Sequence, residues 1–163
     1  MLSRRSYGGY TRQQMTLAIQ RRVHRLCSRA ARRLYGLFPI FGRLRGAIAI
    51  IQCGNRYLVI DRSDGLGLSF PGGVAAWGES DLATVRRELL EETGLILIAA
   101  EELFEFESDV DLPAVTTVFR GEAEGQIRGS WEGTPQWISL AEIEAGEVFS
   151  PHQPVFDYLK QLS

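Results

Sequence analysis

The stretch of sequence that decides the fold is residues 73–95, GVAAWGESDLATVRRELLEETGL. Gly72 and the proline before it end a strand and open a loop ahead of this stretch. Ser80 is a good N-cap residue, and an aspartate follows it in the first turn. Strong helix formers fill residues 81–93, and Gly94 suits the left-handed conformation that ends a helix. We therefore predict a loop that leads into one helix.

The predicted helix has an apolar face and an acidic face. At about 100° per residue, one side collects the apolar side chains of Leu82, Val85 and Leu89, widened by Ala83 and Leu90. Offsets of three and four residues bring Glu88, Glu91 and Glu92 together on another side. Three like charges repel each other unless a cation lies among them, and carboxylate oxygens hold Mg²⁺ well. A solvated acidic face is the alternative interpretation.

The spacing of the whole stretch separates these alternatives. At ordinary residue usage, its seven specified residues would coincide by chance about once in 10⁸ to 10⁹ start positions. These residues are Gly73, Glu79, Arg87, Glu88, Glu91, Glu92 and Gly94. The stretch resembles the complete signature of the MutT-like Nudix hydrolases, with no departure at a specified position. The likeness extends more loosely from about Gly46 to the C-terminus.

The resemblance implies a reaction and a set of metal ligands. The reaction is hydrolysis of a nucleoside diphosphate linked to another group, by water attacking phosphorus in the presence of Mg²⁺ or Mn²⁺. Glu91 and Glu92 are then direct metal ligands, with the backbone carbonyl of Gly72 close by, and Glu88 is a ligand or the general base. This division is chemically sensible, because pyrophosphate cleavage needs neutralised charge, a positioned water and a base.

Other signature residues have supporting roles in the resemblance. Arg87 orients the glutamates and pairs with Glu79. The predicted catalytic residues are therefore Arg87 and two of the glutamates, Glu88 and Glu91. Gly73 and Gly94 serve the loop and the end of the helix. Packing among other carboxylates raises the pKa of a glutamate, so that it becomes a better base near neutral pH.

The composition is that of a soluble protein with one domain and an appendage. Two cysteines, Cys27 and Cys53, form neither a metal-ligand spacing nor a disulfide framework, so we expect a reducing, cytoplasmic compartment. Residues 1–45 contain eleven arginines and no acidic residue, whereas the other 118 residues contain seven basic and all twenty acidic residues. We predict an Arg-rich extension at 1–44 and a Nudix domain at 45–163.

Residues 11–36 of the extension predict a basic amphipathic helix, with an apolar stripe opposite a row of arginines. Three interpretations stay open. The stripe docks on the catalytic domain or on the second subunit of a homodimer, the helix lies on an anionic membrane surface, or it binds RNA or acts as a targeting sequence. We expect no secretory signal, because no uninterrupted apolar core is followed by a cleavage-like site, and no stretch approaches the ~18 apolar residues of a transmembrane span.

Strands and helices alternate along the chain, which favours a mixed sheet between helices. The resemblance implies the same architecture, an α/β/α sandwich with a mixed β-sheet. Gly54-Asn55 is a good hairpin turn between the first two strands. Besides the helix at 81–93, we expect a linker at 43–46, strands near 47–53, 56–62, 68–70, 96–106, 113–122 and 136–140, and helices near 141–145 and 151–162. The last helix should bury Val155, Phe156, Leu159 and Leu162.

One glutamate outside the signature is a candidate for the site. Glu132 lies before a Trp-x-Ser-Leu strand, where many family members carry a further glutamate that reaches the metal cluster or the attacking water. Glu122 and Glu124 are alternatives for that place, and a solvated loop carboxylate is the plain interpretation.

Substrate contacts are predicted from residue type alone. A base can stack on an aromatic face, which makes candidates of Trp131, Phe119 and Trp77, although packing is the commoner role of such residues. Arg62 and Arg120 suit phosphate or ribose oxygens, and surface roles account for them equally well.

A metal-dependent pyrophosphohydrolase acting on a nucleotide-like substrate is the leading hypothesis. The sequence lacks the extension of coenzyme A-directed members and the tyrosine of dinucleoside polyphosphate hydrolases, and Pro113 lies beyond the proline of ADP-ribose-directed members. Elimination therefore favours a small nucleoside di- or triphosphate. Two alternatives stay open: a catalytically silent nucleotide-binding or sensor module, and an enzyme that its basic helix brings to a membrane or RNA.

Overall fold

The structure is a computed structural model that describes residues 42–162. Within that range the strands are β1 (Leu44–Cys53), β2 (Arg56–Arg62), β3 (Leu68–Ser69), β4 (Gly72–Val74), β5 (Ile96–Ser108), β6 (Ala114–Glu124) and β7 (Gly133–Ser139). The helices are α1 (Asp81–Thr93), α2 (Leu140–Ala145) and α3 (Gln153–Leu162), with a short 3-10 helix at Ser150–His152.

The strands form a mixed sheet centred on β1. Strand β1 runs parallel to β6 and antiparallel to β4, and its far end pairs antiparallel with β2 across the hairpin turn at Gly54. Strand β2 also pairs with β3 and β7, and β6 pairs with β5. Because helices cover both faces of β1, its side chains from Ala47 to Ile51 are all buried, and the strand is apolar without alternation.

Two apolar clusters pack on the opposite faces of this sheet. Alternate residues of β1 contribute to each, with Ala49 in the cluster under α1 and Ile50 in the cluster under α2 and α3. Helix α1 buries Val85 and Leu89, whereas α3 buries Val155, Phe156 and Leu159. The predicted α/β/α sandwich with a mixed sheet is therefore confirmed.

Helix α1 begins and ends where the sequence predicts. The Ser80 side chain accepts a hydrogen bond from the Ala83 amide at 3.3 Å, and the Gly94 amide donates to the Leu90 carbonyl at 2.9 Å. Gly94 has a φ of 75°, the left-handed conformation for which glycine is favoured. The capping residues thus fix α1 at residues 81–93.

Some predicted faces and boundaries are wrong. Leu162 is 60% exposed because it is the last residue of α3, and Leu90 is 45% exposed. The buried face of α1 instead includes Thr84 and Thr93, whose hydroxyl groups bond to backbone carbonyls one turn earlier. The expected linker at 43–46 is largely the start of β1, because this segment pairs with β6 from Leu44 onward.

The predictions made for the basic helix at 11–36, and for most of the extension at 1–44, lie outside the described residues. None of the helices between residues 42 and 162 is long and apolar enough to cross a bilayer.

Burial of His152 couples stability to pH. Its Nδ1 atom accepts a hydrogen bond from the Phe70 amide at 3.1 Å, and burial, followed by the charge of Arg62, lowers its pKa to about 3. An unfolded imidazole is protonated below about pH 6.5, whereas the folded one stays neutral. The free energy of unfolding should therefore fall as the pH drops, by about 2 kcal/mol between pH 6.5 and pH 5 from this group alone.

We expect His152→Asn to reduce this acid sensitivity, since asparagine keeps an acceptor but does not titrate. The variant should be less stable at pH 7.5, because a smaller side chain leaves a void. Urea unfolding at pH 7.5, 6 and 5 measures both effects. Parallel losses of stability in the two proteins between pH 7.5 and pH 5 would contradict the assignment.

Candidate active site

The candidate site lies where the segment of Gly72 and Gly73, here called the glycine loop, meets α1. Strand β4 pairs with β1 and brings Gly72 and Gly73 against the glutamates of the helix. Gly72 has a φ of 153°, and a Cβ atom there would collide with the Ala47 carbonyl oxygen. A Cβ on Gly73 would lie 2.5 Å from Oε1 of Glu88. Gly72 therefore allows β4 to lie close to β1, and Gly73 allows the loop to approach Glu88 of the helix.

Glu92 is the most buried carboxyl group of the site. It is 6% exposed, and its Oε2 atom accepts a hydrogen bond from the Gly72 amide at 2.9 Å. Burial raises its pKa well above the usual value, the charges of Glu132 and Glu88 add to this, and the Gly72 amide opposes it. The neighbouring Glu132 side chain also raises the pKa of Glu92, because two carboxylates that lie close together repel each other unless a proton or a cation compensates their charge.

Glu88 belongs to the same cluster. Burial raises its pKa, the ion pair with Arg87 opposes this, and the charges of Glu132 and Glu91 contribute further. Its side chain is 13% exposed, whereas that of Glu91 is 60% exposed and lies 3.4 Å from Arg87. The structure thus brings together Glu88, Glu92 and Glu132, and leaves Glu91 at the rim.

Arg87 connects the loop to this cluster. Its Nε and Nη2 atoms donate to the two carboxylate oxygens of Glu79 at 3.0 and 2.9 Å, and its Nη1 atom donates to Glu88 at 2.8 Å. Glu79 also accepts from the Ala76 amide at 2.9 Å. The bonds from Arg87 and then from Ala76 lower the pKa of Glu79 to about 2, so that this pair is fully charged near neutral pH.

Glu132 reaches the cluster through a loop that is held at two points. The Arg128 amide donates to the Thr93 carbonyl at the end of α1, and the Ser63 amide donates to the Glu132 carbonyl, both at 2.8 Å. The alternatives Glu122 and Glu124 are exposed on β6, where they pair with the first half of β5. Of the three glutamates proposed for this place, the structure brings Glu132 to the cluster.

The donor set suits a hard divalent cation. Among residues 42–162, no three His, Cys, Asp or Glu side chains form a ready-made metal site. The charges of Glu88, Glu92 and Glu132 nevertheless act on one another, and Glu92 is buried among them with the Gly72 amide as its hydrogen-bond donor. Oxygen ligands of this kind hold Mg²⁺ or Mn²⁺. Gly72 contacts Glu92 through its amide, and its carbonyl stays a predicted ligand.

A cleft of about 230 Å³ opens beside Gly72 and Gly73. Besides these glycines, its walls are formed by Gly46, Ile48, Arg62, Val74, Ser108, Asp111, Leu112, Ala114, Thr116, Phe149, Pro151 and His152. The Arg62 guanidinium forms a two-point ion pair with Asp64, at 3.0 and 2.6 Å, and lies 4.1 Å above the centre of the Phe149 ring. Arg62 is thus part of a fixed wall next to the glutamate cluster.

The structure separates the other predicted substrate residues. Phe119 is 6% exposed in the core under α1, so its ring cannot stack on a base. Trp131 is 40% exposed on the Glu132 loop, and its carbonyl accepts from the Ser63 hydroxyl. Trp77 is 97% exposed on the loop before α1, and Arg120 contacts the Tyr158 hydroxyl at 3.5 Å. Neither Trp77 nor Arg120 lines the cleft.

Sequence reasoning missed several cleft residues, notably Asp111, Thr116 and Phe149. Phe149 follows α2, and Asp111 lies between β5 and β6, so the folded sheet brings them together from distant parts of the sequence. Alternation along β6 was the available signal, because it places Thr116 opposite to the face of Phe119.

Comparisons with known proteins agree with the fold. Similar solved structures include a MutT structure from work on Aliivibrio salmonicida and Vibrio cholerae, with 21% identity, a TM-score of 0.64, and coverage of 74% of this chain and 99% of that chain. The MutT protein of Methanosarcina mazei gives 21% identity and a TM-score of 0.64, covering 74% and 94%.

The NUDIX domain of Shewanella oneidensis NrtR, complexed with ADP-ribose, gives 21% identity and a TM-score of 0.60, covering 77% and 92%. A search of curated proteins gave no match. Residues 42–159 match the family described as NUDIX domain, which is most of the chain. The protein therefore belongs to the NUDIX domain family and is a Nudix pyrophosphatase, a hydrolase of acid anhydrides in nucleoside diphosphate-linked compounds.

Proposed function

We propose that the protein is a metal-dependent pyrophosphohydrolase that cleaves a small nucleotide, such as a nucleoside triphosphate, with Mg²⁺ or Mn²⁺. The observation that carries the proposal is the position of Glu88 and buried Glu92 against the Gly72–Gly73 loop, beside an open cleft and near the charge of Glu132. Such a cluster is costly without a cation, and a diphosphate brings the negative charge that a cation would neutralise.

The residues of the site divide the chemistry between them. Glu92 and Glu132, with Glu88 or Glu91, would hold the divalent ion, which when bound neutralises charge on the bridging and leaving oxygens. Glu88 is the group we assign to accept a proton from the attacking water, because its raised pKa brings it closer to neutral pH. Arg87 holds Glu88 in place and donates to Glu91 at the rim.

The cleft supports a small substrate. Its volume of about 230 Å³ and its mixed wall of Phe149, Thr116 and Asp111 suit one nucleobase with hydrogen-bonding edges. ADP-ribose is a second candidate substrate, because the NUDIX domain of NrtR, which has a similar fold, was solved with it. The retention of all seven signature residues argues against a silent sensor module.

The division into an extension at 1–44 and a domain at 45–163 also stays a proposal, as do a homodimer, a cytoplasmic location, and contact of residues 11–36 with a membrane or RNA. Each of these depends on residues or partners outside the described range.

A hydrolysis screen tests the proposed function. The full chain is incubated with Mg²⁺ or Mn²⁺ and each of the nucleoside triphosphates, nucleotide sugars, dinucleotides, ADP-ribose and capped RNA, and the products are identified. We expect metal-dependent release of a nucleoside monophosphate, with the highest kcat/KM for a triphosphate. A higher kcat/KM for ADP-ribose than for the triphosphates would make ADP-ribose the preferred substrate. Binding without turnover would favour the sensor module.

Glu132→Gln should lower kcat by roughly 10- to 100-fold, because it removes one carboxylate from the cluster without changing its shape. Glu124→Gln is the matched control, since Glu124 is exposed on β6 and should tolerate the change with less than about a twofold effect. Steady-state kinetics with Mg²⁺ in excess measures both variants. If the two variants have equal kcat values, Glu132 does not take part in the site.

A further inference from the structure

Arg45 contacts both ends of the loop that joins the glycines to α1. Its backbone carbonyl accepts a hydrogen bond from the Ala75 amide at 2.8 Å. Its guanidinium donates to both carboxylate oxygens of Asp81, the first residue of α1, with the Nε bond at 3.2 Å. The loop of residues 75–80 therefore begins next to the backbone of Arg45 and ends next to its side chain.

The same side chain also connects the start of α1 to β5 and β6. Its Nη2 atom donates to Glu105 of β5 at 2.7 Å, and the Thr117 hydroxyl of β6 donates to Asp81 at 2.8 Å. Arg45 thus connects the start of α1 to two neighbouring strands. These bonds supply lateral restraint at the end of α1 that lies before its first fully buried apolar residue, Val85.

A small rotation of α1 would move the glutamates of the cluster relative to the glycine loop. The Gly72 amide bonds Glu92 at 2.9 Å, and Gly73 allows Glu88 to approach its backbone, so both contacts depend on where α1 lies. Displacement of a reacting group by about 1 Å can cost roughly 10²-fold in rate. The restraint at Asp81 is therefore relevant to the chemistry at the other end of the helix.

We propose that Arg45 is a positioning residue for the hydrolysis, its side chain acting through Asp81 on the spacing between α1 and the glycine loop. The inference rests on the proposed roles of Glu88 and Glu92. The Arg45 side chain is 51% exposed, and ion pairs of this kind contribute little to the free energy of unfolding. Replacing Arg45 should therefore change turnover more than stability, whereas a purely structural role would lower stability at least as clearly as turnover.

The chain provides a matched control for this proposal. Arg43 lies two residues earlier and also pairs with acidic residues near the end of β5, with Glu107 at 3.3 Å and Asp109 at 2.9 Å. Its described partners lie on β5 and the loop after it, and none belongs to α1 or to the loop before it. Replacing Arg43 removes the same charge from the same surface.

The experiment compares Arg45→Met with Arg43→Met in the full chain. We expect Arg45→Met to lower kcat by roughly 10-fold, with KM within about twofold, whereas Arg43→Met keeps kcat within about twofold. Mn²⁺ affinity, measured by calorimetry, should fall severalfold in Arg45→Met only, and the thermal midpoints of the two variants should differ by less than about 3 °C. Asp81→Asn should reproduce the kcat loss, and the Arg45→Met/Asp81→Asn double variant should add little to it.

Equal kcat and equal Mn²⁺ affinity in the two arginine variants would overturn the inference, as would additive losses in the double variant. If Arg45→Met does not fold, Asp81→Asn against Arg43→Met makes the same comparison. If the wild-type chain hydrolyses none of the substrates, the proposed substrate is wrong, whereas the Mn²⁺ affinities still decide the role of Arg45.

Discussion

Replacing Glu92 with Gln should stop hydrolysis and, at the same time, make the metal-free protein harder to unfold. Glu92 is buried beside Glu88 and Glu132, and its pKa is raised chiefly by burial. A group whose pKa is higher in the folded than in the unfolded state destabilises the fold when it ionises, and this cost disappears as the pH falls. Glutamine removes the charge and keeps an acceptor for the Gly72 amide.

The loss of turnover should be roughly 10³-fold, since a metal ion contributes several kcal/mol to such transition states. In EDTA at pH 7.5, Glu92→Gln should unfold at a higher temperature than the wild type, and this difference should shrink toward pH 5. Added Mg²⁺ should stabilise the wild type more than the variant.

Glu91→Gln is the matched control for stability, because that side chain is 60% exposed on the same helix and should change the metal-free midpoint little. A Glu92→Gln protein that is less stable than the wild type in EDTA would contradict the assignment of Glu92 as an uncompensated buried carboxylate. Retention of Mg²⁺-dependent turnover would remove it from the metal site.

Arg87→Lys should lower kcat by about 100-fold although the charge is kept. The guanidinium of Arg87 bonds both oxygens of Glu79 while donating to Glu88 and to the Val74 carbonyl. A lysine ammonium has three donors on one atom and cannot span these groups. The thermal midpoint should also fall, because Glu79 and Glu88 lose part of their hydrogen bonding.

Arg86→Lys provides the comparison, since Arg86 is the exposed neighbour on the same helix and should tolerate lysine in both kcat and midpoint. Calorimetry and steady-state kinetics on the two variants decide the matter. If Arg87→Lys keeps more than half of the wild-type kcat, the fork geometry of the guanidinium is not what orients Glu88.

The parts of the site that lie close together in the sequence were predictable from it. Ser80 and Gly94 fix α1 through local capping rules, and the spacing of Glu88, Glu91 and Glu92 follows from the helical period. The pairing of Arg87 with Glu79 came from the family resemblance, and the structure contains it. Each of these depends on residues within one loop and one helix.

Features that depend on tertiary packing were not predictable in the same way. The alternation along β6 shows which face of the sheet Phe119 lies on, but only the packing of α1 shows that this face is covered. Conversely, Glu132 was one of three candidates from the family resemblance, and the bonds at Thr93 and Ser63 are what fix its loop beside α1. The helical period alone also put Leu90 on the buried face, where buried threonines are found instead.

The edge strand β5 bears on how the protein aggregates at high concentration. Within residues 42–162, β5 pairs only with β6, and it has register shifts near Leu97 and Leu103. An unpaired edge strand of this kind can pair with a strand of another copy and start fibril formation. The glutamates at 101, 102, 105 and 107, together with the register shifts, make this strand a poor partner for a strand of another molecule, so we expect it to oppose aggregation.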